Sequence, residues 1–196
     1  AGTVTIADAL RAAGYRTYMS GKWHVGDEPE HWPRRHGFDR YFGLISGATS
    51  YFELLQEPGR RREMVLEDSL WTPPDEGYYA TDAYTEYAVD RIREHARDSP
   101  GRPFFLYLAY TAPHFPLHAL PEDIARYRGR YDIGWDSLRS ERYARMREMD
   151  IATERHALAP RPTSLPLWED AHGQEDWARR MEVYAAMVDR MDQGIG

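Results

Sequence analysis

Seven consecutive apolar residues, Phe104-Phe105-Leu106-Tyr107-Leu108-Ala109-Tyr110, constrain the fold of this chain more than any other feature. A half-solvated strand alternates apolar with polar residues. This run does not, so it reads as a central strand covered on both faces, as in a parallel α/β sheet. Residues 15–20 read as a second short strand. A helix over 5–14 precedes it, with Thr3 or Thr5 as its cap, Ile6, Leu10 and Ala13 on one face and Gly14 as its stop. A further helix falls within 75–98, where Thr81 or Asp82 can cap it and Tyr84, Ala88, Ile92 and Ala96 recur every four residues. Another spans 175–193, with Trp177, Met181, Tyr184, Val188 and Met191 three or four apart.

Between these elements, 27–74 is broken by proline and glycine yet rich in aromatic residues, and reads as an irregular site-lining insertion. Residues 121–172 are charged, with Pro160, Pro162 and Pro166 near the end, and read as a surface excursion with short helices. Two strands this apolar need neighbours that the chain does not supply. The expected fold class is therefore α/β. The 196 residues would form an internal fragment of a large mixed, mostly parallel sheet flanked by helices, with strands missing at both ends.

Composition excludes several function classes. With 25 basic against 32 acidic side chains and a net charge of −7, no long-range field draws in phosphate backbones, so nucleic acid is not an expected partner. The run Arg60-Arg61-Arg62, flanked by Glu57 and Glu63, reads as solvated surface, as do the pairs Glu67-Asp68, Glu122-Asp123 and Glu169-Asp170. The absence of cysteine removes disulfides, zinc–thiolate sites, iron–sulfur clusters and a cysteine nucleophile, and leaves the compartment undecided. No apolar stretch approaches the roughly 20 residues that span a bilayer, and the first ten residues lack the charged and apolar regions of a signal peptide.

Lys22 is the one lysine among those 25 basic residues, a compact ammonium in a chain that otherwise uses guanidinium. It lies in Gly21-Lys22-Trp23-His24-Val25-Gly26, directly after the first strand. Ligands of open α/β sheets bind beyond the carboxyl ends of strands. Lys22 and His24, two apart in an extended loop, can address one anionic group, or can simply face solvent. The loop is not a phosphate-binding P-loop, because Arg16 stands at the first glycine position and Trp23 at the hydroxyl position. His114 leaves the apolar strand between Pro113, Phe115 and Pro116, which stiffen its placement. It suits a proton donor at a fixed angle, or a hydrogen-bonded loop histidine. His114 and His118 have the spacing of a helical metal pair, but Pro116 between them argues against a helix. His31, His36, His95, His156 and His172 sit in polar contexts and read as surface residues.

Gly14-Tyr15-Arg16-Thr17-Tyr18-Met19-Ser20-Gly21-Lys22-Trp23-His24 resembles the second signature of the formylglycine-dependent sulfatases, within the alkaline phosphatase superfamily. The resemblance continues through His36-Gly37-Phe38-Asp39-Arg40-Tyr41-Phe42-Gly43, through Pro103-Phe104-Phe105-Leu106-Tyr107-Leu108, and through Thr111-Ala112-Pro113-His114. The segment at 126–132 and the helix at 181–192 are similar to bacterial arylsulfatases. The resemblance implies an alkaline phosphatase-like fold and hydrolysis of a small-molecule sulfate monoester to alcohol or phenol plus sulfate. It implies that Lys22 binds a sulfate oxygen, that His24 contacts the formylglycine hydroxyls, and that His114 protonates the leaving oxygen. It also implies a calcium ion.

The family's nucleophile comes from Cys or Ser in Cys/Ser-x-Pro-x-Arg. The nearest stretch here, Ser164-Leu165-Pro166-Leu167-Trp168, has tryptophan in place of arginine. The family's calcium-binding Asp-Asp and Asp-Asn pairs are absent too, so metal ligands and nucleophile are expected outside this chain. A phosphonate or phosphate monoester hydrolase of the same superfamily, or a non-catalytic anion-binding relative, remains an alternative reading.

Overall fold

A computed structural model describes residues 3–55 and 62–196; Arg60 and Arg61 of the basic run lie outside them. These residues form two compact units, 1–118 with 187–196, and 119–186.

The first unit is a helix-flanked sheet. Helix α1 (Ile6–Ala12) starts from Thr5, whose hydroxyl accepts the Asp8 N–H while the Asp8 carboxylate accepts the Thr5 N–H. This reciprocal box satisfies two amides that the first turn leaves free. Strand β1 (Arg16–Gly21) follows, then β2 (Arg40–Leu44), β3 (Met64–Leu66), β4 (Ser69–Trp71), helix α2 (Ala80–Asp98) and β5 (Phe104–Ala109). The sheet order is β4-β3-β2-β1-β5. Strand β1 pairs in parallel with β2 and with β5, while the β2–β3 and β3–β4 pairings are antiparallel. The sheet is therefore mixed.

The core beneath it gathers Met19, Trp32, Phe38, Tyr41, Ile45 and Val65 around the buried Ala7 of α1. Gly21 (φ +114) and Gly43 (φ +156) sit where the strands come closest. A Cβ on Gly21 would lie 2.0 Å from the Ala109 carbonyl oxygen, and one on Gly43 1.8 Å from that of Gly21. No residue with a side chain fits there, and the backbone angles favour glycine as well.

Several expectations are corrected. Strands β1, β2 and β3 have neighbours on both sides, and β1 is buried from Thr17 to Gly21. The apolar run at 104–109 is an edge strand among the described residues, with Phe104 and Tyr107 40% and 48% exposed. An unalternating apolar run marks a strand meant to be covered without saying which elements of this chain do the covering. Three strands, β2 to β4, fall inside 27–74, which was expected to be irregular. They are three to five residues long, too short for a period to register.

On α1 the buried residue is Ala7 and not Ile6, because Gly37 approaches the α1 backbone there. On α2 the buried stripe runs Ala80, Thr81, Tyr84, Ala88 and then His95, while Ile92 is exposed. A four-residue repeat drifts around a helix of 3.6 residues per turn, so the stripe rotates onto His95. His95, expected at the surface, is thus buried, and His36 is half-buried against Trp23.

The second unit holds α3 (Pro121–Ala125), α4 (Gly134–Glu148), a 3-10 turn at Trp168–Asp170, and the first half of α5 (Gln174–Ile195). Trp168 packs on Gly134 and edge-on to Trp135 at 4.8 Å. The buried face of α5 carries Ala178, Glu182, Ala185, Ala186 and Met187, one residue on from the expected stripe, so Trp177, Met181 and Tyr184 are exposed. Small alanines let that face approach its neighbours more closely than the bulky stripe can. Among the described residues, no helix is long and apolar enough to cross a membrane.

Candidate active site

The parallel pairing of β1 with β5 aligns Gly21 with Ala109, so the loops that follow these two strands leave from the same end of adjacent strands. Lys22 opens the first loop, and its N–H donates to the Ala109 carbonyl at 2.7 Å. The next two amides turn to the other neighbour: Trp23 N–H donates to Leu44 and His24 N–H to Ile45, both at 2.9 Å. The loop is thereby stitched to β5 on one side and to the end of β2 on the other.

Trp23 is its anchor, packed on the core and donating from Nε1 to the His31 carbonyl at 2.8 Å. Tyr41 holds the strand end from below, its hydroxyl donating to the Gly21 carbonyl at 3.1 Å. Full burial pushes this phenol far above its ordinary range, so it stays a neutral donor.

Lys22 is half-buried, and desolvation lowers its pKa from the ordinary lysine value. Among the described residues its ammonium has no ion-pair partner, whereas arginines 16, 34 and 40 all reach carboxylates. A cation removed from water without a carboxylate beside it is poised for an external anion. His24 has φ +55, in the left-handed region that residues other than glycine seldom adopt. Its imidazole lies against Gly47, where an added Cβ would come within 2.8 Å of Nε2.

His114 stands in the loop after β5, solvent-exposed, with both the Ala112–Pro113 and Phe115–Pro116 peptides cis. Its Nδ1 lies 2.5 Å from the Phe115 carbonyl. A carbonyl can only accept, so Nδ1 carries the hydrogen and Nε2 is the nitrogen left for chemistry. Its backbone is held by a turn, His114 N–H to the Thr111 carbonyl at 2.9 Å, and by the Tyr51 hydroxyl, which donates to the His114 carbonyl at 2.9 Å.

His118 is half-buried. Its Nδ1 faces the Ser50 hydroxyl at 3.3 Å and accepts from the Tyr51 N–H at 3.5 Å, while the Tyr79 hydroxyl donates to its carbonyl at 3.0 Å. The paired-histidine metal reading finds no support: among the described residues, no group of three His, Cys, Asp or Glu is placed to hold a metal ion.

All three residues singled out in the sequence therefore sit on loops at one end of neighbouring parallel strands. Sequence reasoning missed the supporting contacts of Ser50, Tyr51, Tyr79 and His118. Its one hint was the aromatic richness of 27–74.

Known proteins share this arrangement of elements. The Sulfatase family model matches residues 1–196. An uncharacterized sulfatase of Schizosaccharomyces pombe is 35% identical over 204 residues, covering 97% of this chain and 36% of that protein. An arylsulfatase of Klebsiella aerogenes is 34% identical over 201 residues, covering 98% and 42%. The crystal structure of Ps i-CgsB in complex with k-i-k-neocarrahexaose superposes with a TM-score of 0.59 at 27% identity, over 97% of this chain and 34% of that one. BT4656 in complex with D-glucosamine-2-N,6-O-disulfate, 18% identical with a TM-score of 0.58, covers 100% and 45% and shares the fold. The chain thus spans less than half the length of these relatives.

Proposed function

Since this chain belongs to the sulfatase family, we propose that the intact protein is a sulfuric ester hydrolase and that this chain supplies part of its sulfate pocket. The observation that carries the reading is the β1–β5 register, which sets the Lys22–His24 loop and the His114 loop side by side. The arylsulfatase likeness supports a sulfate monoester as substrate.

Hydrolysis of such an ester breaks the bond between sulfur and the bridging oxygen, and that oxygen leaves with negative charge. Lys22, desolvated and without a carboxylate neighbour, holds a sulfate oxygen and offsets its charge as the bond breaks. As the imidazolium, His114 delivers the Nε2 proton to the leaving oxygen and is left neutral with its hydrogen on Nδ1, where the contact with the Phe115 carbonyl sets its orientation. His24, fixed through Ile45, would contact the hydroxyls of a formylglycine supplied from outside this chain and would orient that nucleophile.

Calcium and formylglycine, which the resemblance implies, do not fit on these residues. The sequence has no cysteine, its nearest serine motif, Ser164-Leu165-Pro166-Leu167-Trp168, has tryptophan where arginine is required, and no group of three His, Cys, Asp or Glu among the described residues is placed to hold a metal ion. The work of this chain is confined to holding the anion and handling protons.

In the intact protein, Lys22→Ala is expected to lower kcat/KM for p-nitrophenyl sulfate about 100-fold, the usual cost of losing one donor to a developing oxyanion. Near-normal turnover would remove Lys22 from the pocket. Matched sulfate and phosphate monoesters compared by kcat/KM are expected to favour sulfate; a preference for phosphate would reassign the reaction to the phosphate or phosphonate branch of the superfamily.

A further inference from the structure

The loop that carries His114 is fastened by residues far from it in sequence, and the fastening is concentrated on Tyr51. Tyr51 is 1% exposed. Its hydroxyl donates to the His114 carbonyl at 2.9 Å, and its N–H donates to His118 Nδ1 at 3.5 Å. Its own carbonyl accepts the Ala80 N–H at 2.8 Å, which ties it to the start of α2. Its ring packs against Tyr79 at 5.9 Å, and the Tyr79 hydroxyl in turn holds the His118 carbonyl. Burial pushes the Tyr51 phenol far above the ordinary range, so it remains a neutral donor at any working pH. One residue thus grips the His114 loop at both 114 and 118 while being anchored to a helix that packs on the sheet. His114 itself is exposed, so where Nε2 points follows from the position of its backbone and from the Nδ1 contact with Phe115.

We propose that Tyr51 is a positioning residue for His114: its buried hydroxyl fixes the His114 backbone so that Nε2 meets the leaving oxygen of the ester. The proposal rests on the assignment of His114 as the proton donor. It makes a prediction that a merely structural role does not, because an acid matters only where the leaving group needs a proton. An activated phenol leaves unaided, whereas an alkoxide does not.

The experiment uses the intact protein with two substrates, p-nitrophenyl sulfate and an unactivated alkyl sulfate, and compares wild type, Tyr51→Phe and His114→Ala. Tyr51→Phe keeps the ring and removes only the donor. It is expected to lower kcat for the alkyl ester about 10-fold, a part of the 10²–10⁴ a well-placed acid supplies, and to leave kcat for the activated ester and both KM values near wild type. The ratio of the two rates is read in one preparation, so partial unfolding cancels from it.

An unchanged ratio in Tyr51→Phe, with or without a general loss of rate, overturns the positioning role if His114→Ala does shift the ratio. If His114→Ala also leaves the ratio unchanged, the assignment of the acid fails first, and the role of Tyr51 fails with it.

Discussion

The two ends of the sheet use the same residue types in opposite ways. At the end where β1, β2 and β5 begin, His95 has both ring nitrogens engaged: Nδ1 faces the Tyr18 hydroxyl at 2.9 Å and Nε2 the Arg102 carbonyl at 2.8 Å. The carbonyl can only accept, so Nε2 carries the hydrogen and Nδ1 takes the tyrosine proton. The cations there are matched too, Arg16 with Asp39 at 3.9 Å and Arg40 with Glu67 at 3.6 Å. Arg16, Tyr18, Asp39, Arg40 and His95 line a polar cleft of about 180 Å³. At the opposite end His114 has one ring nitrogen engaged and one free, and Lys22 has no carboxylate partner among the described residues. Commitment, more than residue identity or burial, separates the structural end from the end proposed to be reactive. A buried group whose hydrogen bonds are all made has nothing left to offer a ligand.

The largest expected effect would break this comparison if it failed. In the intact protein, His114→Ala should lower turnover of an unactivated sulfate ester at least about 100-fold, while His95→Phe should leave kcat unchanged. Equal losses of kcat in the two variants would show that the engaged and the free histidine are not distinct. The reverse asymmetry is expected in stability. His95→Phe strands the Tyr18 hydroxyl and the Arg102 carbonyl, and denaturant unfolding should report a loss of about 2 kcal/mol, against little change for His114→Ala.

A third expectation concerns pH. Burial lowers the pKa of Lys22 from the ordinary lysine value, so the native chain gives up this proton before the unfolded chain does. Below both values each state is protonated and the desolvation cost is fully present. Across the window between them the unfolded chain binds the extra proton, so native stability rises with pH while the cation proposed to hold the sulfate is lost. The alkaline fall of kcat/KM should therefore begin below the ordinary lysine range. Lys22→Arg, slower but permanently charged, should not show that fall, and an identical alkaline limb in Lys22→Arg would detach it from residue 22. The smallest effect belongs to Thr5→Ala, at the start of α1. Loss of its capping box should cost about 1 kcal/mol with kcat intact.

The readable parts of the fold were those with a local cause. The Thr5 cap, the Gly14 stop, the strands at 16–21 and 104–109 and the long helices all follow from side-chain type and spacing. Lys22, His24 and His114 were legible because a cation and imidazoles directly after strands are unusual within a few residues of sequence. The stripe on α2 was read as far as Ala88 and then lost, since a repeat of four overruns the helical turn and hides the burial of His95. Strands β2 to β4 left no trace, being shorter than any period that could mark them.

Sequence alone determined the chemistry this chain can offer: one ammonium among guanidiniums, imidazoles beside glycine and proline, and no thiol. Tertiary structure decided which of those groups could act. The β1–β5 register, the Tyr51 contact with residue 114 and the double engagement of His95 join positions from 7 to 88 residues apart. Whether a hydrogen bond is already made depends on what lies across space, which no local pattern of residues records.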